Sequence, residues 1–199
     1  MVNPEPMPVD ELVDALKLAT HEIGKHLEPD GDWQPVAFCV SRSLGLVPVM
    51  PEQLSDERDK ELFCAAVATA IAISRAHACV LVLPAYVVVP GDAAGRAIGD
   101  QWKAFEAEHG REPDITELGI PRPTDHPDRV EALVLNVYER ERGRMEYAEV
   151  IRGGPFPVLG EWQGLAHDDE GEETLGGRFS DAVQGALKQV AGAASAEDN

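Results

Sequence analysis

The sequence predicts an α+β fold: a mainly antiparallel sheet packed on a central apolar helix, with an additional N-terminal amphipathic helix. Three observations carry that reading. Apolar residues recur every three or four positions from Val9 to Leu27, and a long alanine-rich apolar stretch follows Asp56. The other hydrophobic runs are short, rich in β-branched residues and joined by turn residues, as in hairpins.

At 199 residues the chain fits one domain of roughly 100–200 residues with tails. Its 44% apolar content is enough for a packed core. The organisation expected is a single α+β domain over residues 1–165, with 91–124 as an insertion or long excursion. Residues 166–199 are expected to form an acidic loop, a weak helix and a frayed tail.

Each element has its own signal. Val9, Leu12, Val13, Leu16, Ala19, Ile23 and Leu27 form one helical stripe, ended by the turn Glu28 to Asp32. Trp33 to Val40 reads as a strand, linked through Ser41 to Ser43 to a second apolar run over Leu44 to Met50. Pro35 and Pro48 each lack a ladder donor, which places these strands at an edge or beside a bulge. Ser55 or Asp56 caps a helix running to about Ala76, with acidic residues in its first turn where they suit the macrodipole. From Leu62 to Ile73 nearly every position is apolar, so neighbours are expected on several sides of this helix. Ala78 to Val89 reads as a buried strand with an irregularity at Pro84.

A helix over Ala93 to His109 is expected inside the excursion, with Ile98, Trp102 and Phe105 as its apolar stripe. Arg129 to Glu139 carries apolar residues on both faces and reads as a central strand, joined by a charged turn to Met145 to Gly153 as a hairpin. Pro155 to Trp162 adds a short last strand. Phe179 to Val190 forms the weak helix after the acidic loop Ala166 to Gly177.

The net charge of -19 repels phosphate backbones and anionic lipid, so direct nucleic-acid or membrane binding is disfavoured. Solubility, salt adaptation or mimicry of a polyanion would each account for the acidity. Cys39, Cys64 and Cys79 sit among apolar neighbours without C-x-x-C spacing, as small buried hydrophobes in a reducing compartment do. The N-terminal residues show no basic and apolar signal pattern, and no run reaches the roughly 20 apolar residues of a membrane span. A soluble, cytoplasmic chain is the expectation.

No pattern calls for a cofactor or a metal. His21 and His26 are five apart, about 140° around a helix, and miss the one-face spacing of H-E-x-x-H. Gly91, Gly95 and Gly99 fit no phosphate-binding fingerprint, and the acidic loop Asp168 to Glu173 lacks the alternating ligands of a calcium loop. The most concentrated polar cluster is Asp125, His126, Asp128, Arg129 and Glu131, where the chain re-enters the core. Carboxylates beside an imidazole can tune its pKa or position a water, and these five are the candidate catalytic residues. A turn whose polar side chains satisfy its own backbone is the competing account.

Asp32-Trp33 with Pro35 and Val36, the alanine-rich helix leading into a strand that ends Pro84-Ala85-Tyr86-Val87-Val88, and His126-Pro127-Asp128-Arg129 with Glu131 together resemble a set of uncharacterised bacterial and phage proteins. The resemblance spans Asp32 to Trp162 and implies a compact α+β domain without implying an activity. Functionally, the absence of a catalytic signature and the proline-bearing strands favour a non-enzymatic domain acting on a protein partner or as a homo-oligomer. The alternatives are a hydrolase or metal-dependent enzyme built on the Asp125 to Glu131 cluster, and an acidic mimic that binds a basic nucleic-acid-binding protein.

Overall fold

The computed structural model of the chain describes residues 8–88, 92–111, 113, 115–121, 125–126, 129–140, 142–164 and 178–197. In chain order the elements are α1 (Val9–Gly24), β1 (Val36–Ser41), β2 (Gly45–Val49), α2 (Glu57–Ser74), β3 (Ala76–Val87), α3 (Asp92–His109), β4 (Val130–Glu139), β5 (Gly143–Ile151), β6 (Val158–Leu159), β7 (Gln163–Gly164) and α4 (Arg178–Glu197). Contacts divide the chain into two units, Met1–Pro84 with Leu133–Asn199, and Ala85–Ala132. The fold class is α+β with an N-terminal helix, as expected.

In the first unit the strands run β2-β1-β3-β4-β5-β6, with β7 paired to β5. The pairings of β1 with β2 and β3, and of β5 with β6 and β7, are antiparallel. Because side chains alternate along a strand, the sheet has two apolar faces. Val40, Ala78, Val80, Val82, Leu133, Leu135 and Val137 pack with Leu12 and Val13 of α1. Ala37, Cys39, Cys79, Leu81 and Tyr138 pack instead with Phe63, Val67 and Ile71 of α2 and Val183 and Leu187 of α4. Burying a side chain the size of Val67 or Ile71 contributes about 1.5–3 kcal/mol, so these two fully buried residues alone anchor α2 firmly.

Several boundaries differ from expectation for physical reasons. The first helix stops at Gly24 and does not reach Leu27, because Trp33 packs there. A methyl group at Gly24 would lie 2.8 Å from Cζ2 of Trp33 and 3.0 Å from the Pro157 carbonyl oxygen. Trp33 Nε1 donates to the Thr20 carbonyl at 2.9 Å, so this residue is a plug under α1 and the strand starts at Val36. Pro48 lies in the edge strand, as a missing donor requires. Pro35 only precedes β1, which is an interior strand; its register shift falls at Val40/Ser41. β3 runs unbroken through Pro84. The last helix extends to Glu197, beyond the weak segment expected, since its Val183, Ala186 and Leu187 are buried. The acidic loop Ala166 to Gly177 and Gly91 lie outside the described residues.

Cys39 and Cys79 stand opposite each other in the β1–β3 register, free and buried. A thiol hydrogen bond between them draws Cys39 below its ordinary pKa and, with burial, pushes Cys79 above it. Cys64 is half-buried and, like them, forms no disulfide.

The second unit contains α3, which ends where Gly110 takes φ +67° and donates to the Glu106 carbonyl at 2.8 Å. His109 stacks on Phe105 at 4.0 Å between ring centroids, and the Arg111 guanidinium covers the same ring at 5.0 Å. Arg111 also grips Glu117 through two bonds of 2.9 and 2.7 Å.

Candidate functional site

The polar cluster singled out in the sequence lies in and around the second unit. Asp125 is exposed, His126 is half-buried, and Glu131 is half-buried on β4. Asp128 lies outside the described residues. Arg129 is exposed and its guanidinium sits 5.3 Å from the centroid of the Tyr86 ring. Its backbone N–H donates to the His126 carbonyl at 3.2 Å, and Nη1 approaches the same oxygen at 3.5 Å. The contacts shown are therefore a turn closed by backbone and a cation–π pair. Among the described residues, no group of three or more His, Cys, Asp or Glu side chains is placed to hold a metal ion.

A larger surface feature lies in the first unit, on α2. Asp56 caps this helix, accepting from the Asp59 N–H at 2.8 Å. The Asp59 carboxylate reaches back to the Ser55 hydroxyl at 2.6 Å and the Ser55 N–H at 2.9 Å. These bonds, the hydroxyl first, hold the Asp59 carboxyl below the usual carboxylate range. Asp56→Ala should destabilise the protein by about 1 kcal/mol, read as a lower urea midpoint with unchanged slope. An unchanged midpoint would show that the cap carries no stability.

Beyond the cap, the sequence leads to an unusual helix. From Leu62 to Ser74 it carries no Asp, Glu, Lys, Arg or His. Phe63, Val67 and Ile71, at steps of four, make its buried stripe, and α4 and strands β1 and β2 lie against it. Among the described residues the expectation of neighbours on several sides is met on that side only. Leu62 is 60% exposed and Ile73 76% exposed, while Ala65, Ala66, Thr69 and Ala72 are open as well. The two hydroxyls near this face are already used within the helix: Thr69 donates to the Ala65 carbonyl at 2.7 Å and Ser74 to the Ala70 carbonyl at 2.6 Å. The face is therefore effectively apolar.

Edge strand β2 and the residues on either side of it extend this surface. Leu44 and Val47 with Ala66, Thr69 and Ile73 border a hollow of about 520 Å³. Met50 with Leu62 and Ala66 borders a second of about 250 Å³. Leu44 is 62% and Met50 63% exposed, so four large apolar side chains gather on α2 and at the two ends of β2. Scattered single apolar residues are ordinary on a surface, whereas a contiguous patch marks an interaction site. Sequence reasoning missed this face because an alanine-rich helix is apolar all round and its period does not say which side is covered.

No protein-family model, no curated protein and no solved structure matches the chain. Among the described residues no helix is long and apolar enough to cross a membrane. Fold and surface together define an α+β domain with an uncovered apolar helix face.

Proposed function

We propose that the protein is a non-enzymatic self-association domain and that the outer face of α2 is the surface through which two copies join. The observation that carries this reading is the symmetry of the exposed stripe. An antiparallel pair built on a two-fold axis at the level of Val67 and Ala68 sets Leu62 opposite the second copy's Ile73 and Ala66 opposite its Thr69, with Ala65 opposite its half-buried Ala70. A symmetric dimer requires such self-complementarity, because each residue must meet its counterpart's partner on the second copy. The small residues at the centre let two antiparallel helices approach to about 8 Å. The bulky residues at the ends then cover one another. Antiparallel alignment also opposes the two helix dipoles.

The stripe has no charged group between Leu62 and Ser74, so it offers nothing to select a strongly acidic or basic partner. Strand addition along β2 is a poorer alternative, since Pro48 removes a donor from that ladder. Burial of Leu62 and Ile73 from both copies is worth about 6–12 kcal/mol in gross terms, against an association cost of about 4–15 kcal/mol. The arithmetic supports a dimer that dissociates on dilution, and not an obligate one.

Sedimentation equilibrium over a wide concentration range tests the reading. The expected result is a mass rising from one chain to two and stopping there. A single-chain mass at every concentration up to the millimolar range would sink the idea. Salt gives a second check with a definite sign. Two chains of charge -19 repel each other, and raising salt shortens the screening length from about 10 Å at 0.1 M to about 3 Å at 1 M. The dimer should tighten several-fold over that range, and weakening with salt would point to charge-driven association.

A further inference from the structure

Cys39 of β1 and Cys79 of β3 face each other across the ladder, both fully buried, on the sheet face that packs against α2. We propose that they form a reversible redox site, which hydrogen peroxide converts into a cross-strand disulfide beneath α2.

The spacing of the strands permits the bond. Residues directly opposite in an antiparallel pair hold their Cα atoms about 4.5–5.5 Å apart. A disulfide spans Cα separations of about 4.4–6.8 Å, so this one can close without a change of register. The two thiols are also close enough for each to shift the other's ionisation. Interaction with Cys79 holds the Cys39 thiol below its ordinary pKa, against the opposing effect of burial. Cys79 is pushed above its own, by Cys39 first and by burial second. A thiolate is the nucleophile in such chemistry, so Cys39 attacks and Cys79 resolves.

In the first step the Cys39 sulfur, its proton lost, attacks one oxygen of the peroxide. The O–O bond breaks, leaving a sulfenic acid on Cys39, and the departing hydroxide takes up the released proton as water. In the second step the Cys79 sulfur attacks the Cys39 sulfur and displaces its hydroxyl group, which leaves as water with the Cys79 proton. The two thiols lose two electrons in all, and one peroxide becomes two waters.

An approach route lies on the same face. Ala37 and Leu81 form the ladder pair two residues along from Cys39 and Cys79, with their side chains in the same cluster. Leu81, with Phe63 and Leu83, borders a cavity of about 420 Å³. Two residues of strand span about 7 Å, so a small oxidant in this space is one ladder position from the pair. The product also has a structural consequence. Cys39 and Cys79 enclose β2 and α2 in the chain, so the bond ties the elements that carry the open apolar face to the sheet. Opposite Cβ atoms lie about 4.5–5.5 Å apart, wider than the roughly 3.5–4.5 Å of a disulfide. The bond therefore forms under slight tension, and bonds of that kind are readily reduced.

Two thiols that only fill space in a core predict no reaction. The test treats the folded full chain with hydrogen peroxide, quenches it with acid and an alkylating reagent, and maps the linked peptides by mass spectrometry. The expected result is a Cys39–Cys79 link in protein whose circular dichroism is unchanged, with both thiols restored by dithiothreitol. C39S and C79S should each abolish the link, and C64S should leave it in place. In C79S an added oxygen should collect on Cys39, whereas in C39S Cys79 should stay unmodified over the same time. If a serine variant does not fold, C39A or C79A takes its place, and the peptide map of the parent needs no variant. The proposal is overturned if no link forms, if it forms only in urea, if it runs to Cys64, or if Cys79 gains oxygen in C39S.

Discussion

Ile73→Glu is expected to leave the protein folded and to make it monomeric. The side chain is 76% exposed, so in a single chain the new carboxylate stays in water and stability should change by no more than about 0.5 kcal/mol. In the two-fold arrangement the same substitution enters the interface twice, and each carboxylate displaces an Ile73–Leu62 contact between copies. Burying two unpaired charges, or splaying the helices to hydrate them, should weaken dimerisation by about a hundredfold or more. Sedimentation velocity checks the mass, and circular dichroism with a thermal scan checks the fold. Ala66→Glu, at the centre of the stripe, should act in the same way by blocking close approach. Ile73→Val, which keeps the surface apolar, should remain dimeric. Persistence of the dimer in both glutamate variants would move the interface away from α2.

Trp33→Ala should give the largest loss of stability of any single change considered. Trp33 is 3% exposed, lies in the core shared by α1 and the sheet, and donates to the Thr20 carbonyl at 2.9 Å. Deleting the indole opens a cavity and removes that bond, and truncations of this kind cost about 3–5 kcal/mol. Against a total stability of about 5–15 kcal/mol, this is enough to lower the unfolding midpoint severely. Trp33→Phe keeps most of the ring and loses the donor, so about 1–2 kcal/mol is expected. Gly24 provides an internal control. Gly24→Ala should destabilise the parent, because its methyl group would lie 2.8 Å from Trp33 Cζ2, and should cost less when Trp33 is alanine. A cost below about 1 kcal/mol for Trp33→Ala would mean that α1 is not held by this plug.

The helices and the antiparallel hairpins were legible because their signals are local. The acidic first turn after Asp56 marks the start of α2, and apolar residues on both faces of Arg129 to Glu139 mark a strand covered on both sides. Trp33 was misplaced into a strand, since nothing in its neighbours announces that it packs under a helix thirteen residues back. The Asp125 to Glu131 cluster was conspicuous because its residues are adjacent in sequence. Among the described residues its contacts include a turn closed from Arg129 to His126 and the Arg129–Tyr86 pair, and Asp128 lies outside them.

By itself the sequence determined the α+β class, the two-faced strands and the apolar character of α2, because each follows from composition and period over a short window. Only the tertiary structure decided which side of α2 stays open, since a helix apolar all round has no phase to read. The facing of Cys39 and Cys79 likewise belongs to the tertiary level. Strand order, not chain distance, brings β1 and β3 side by side in the register that sets these two thiols opposite each other.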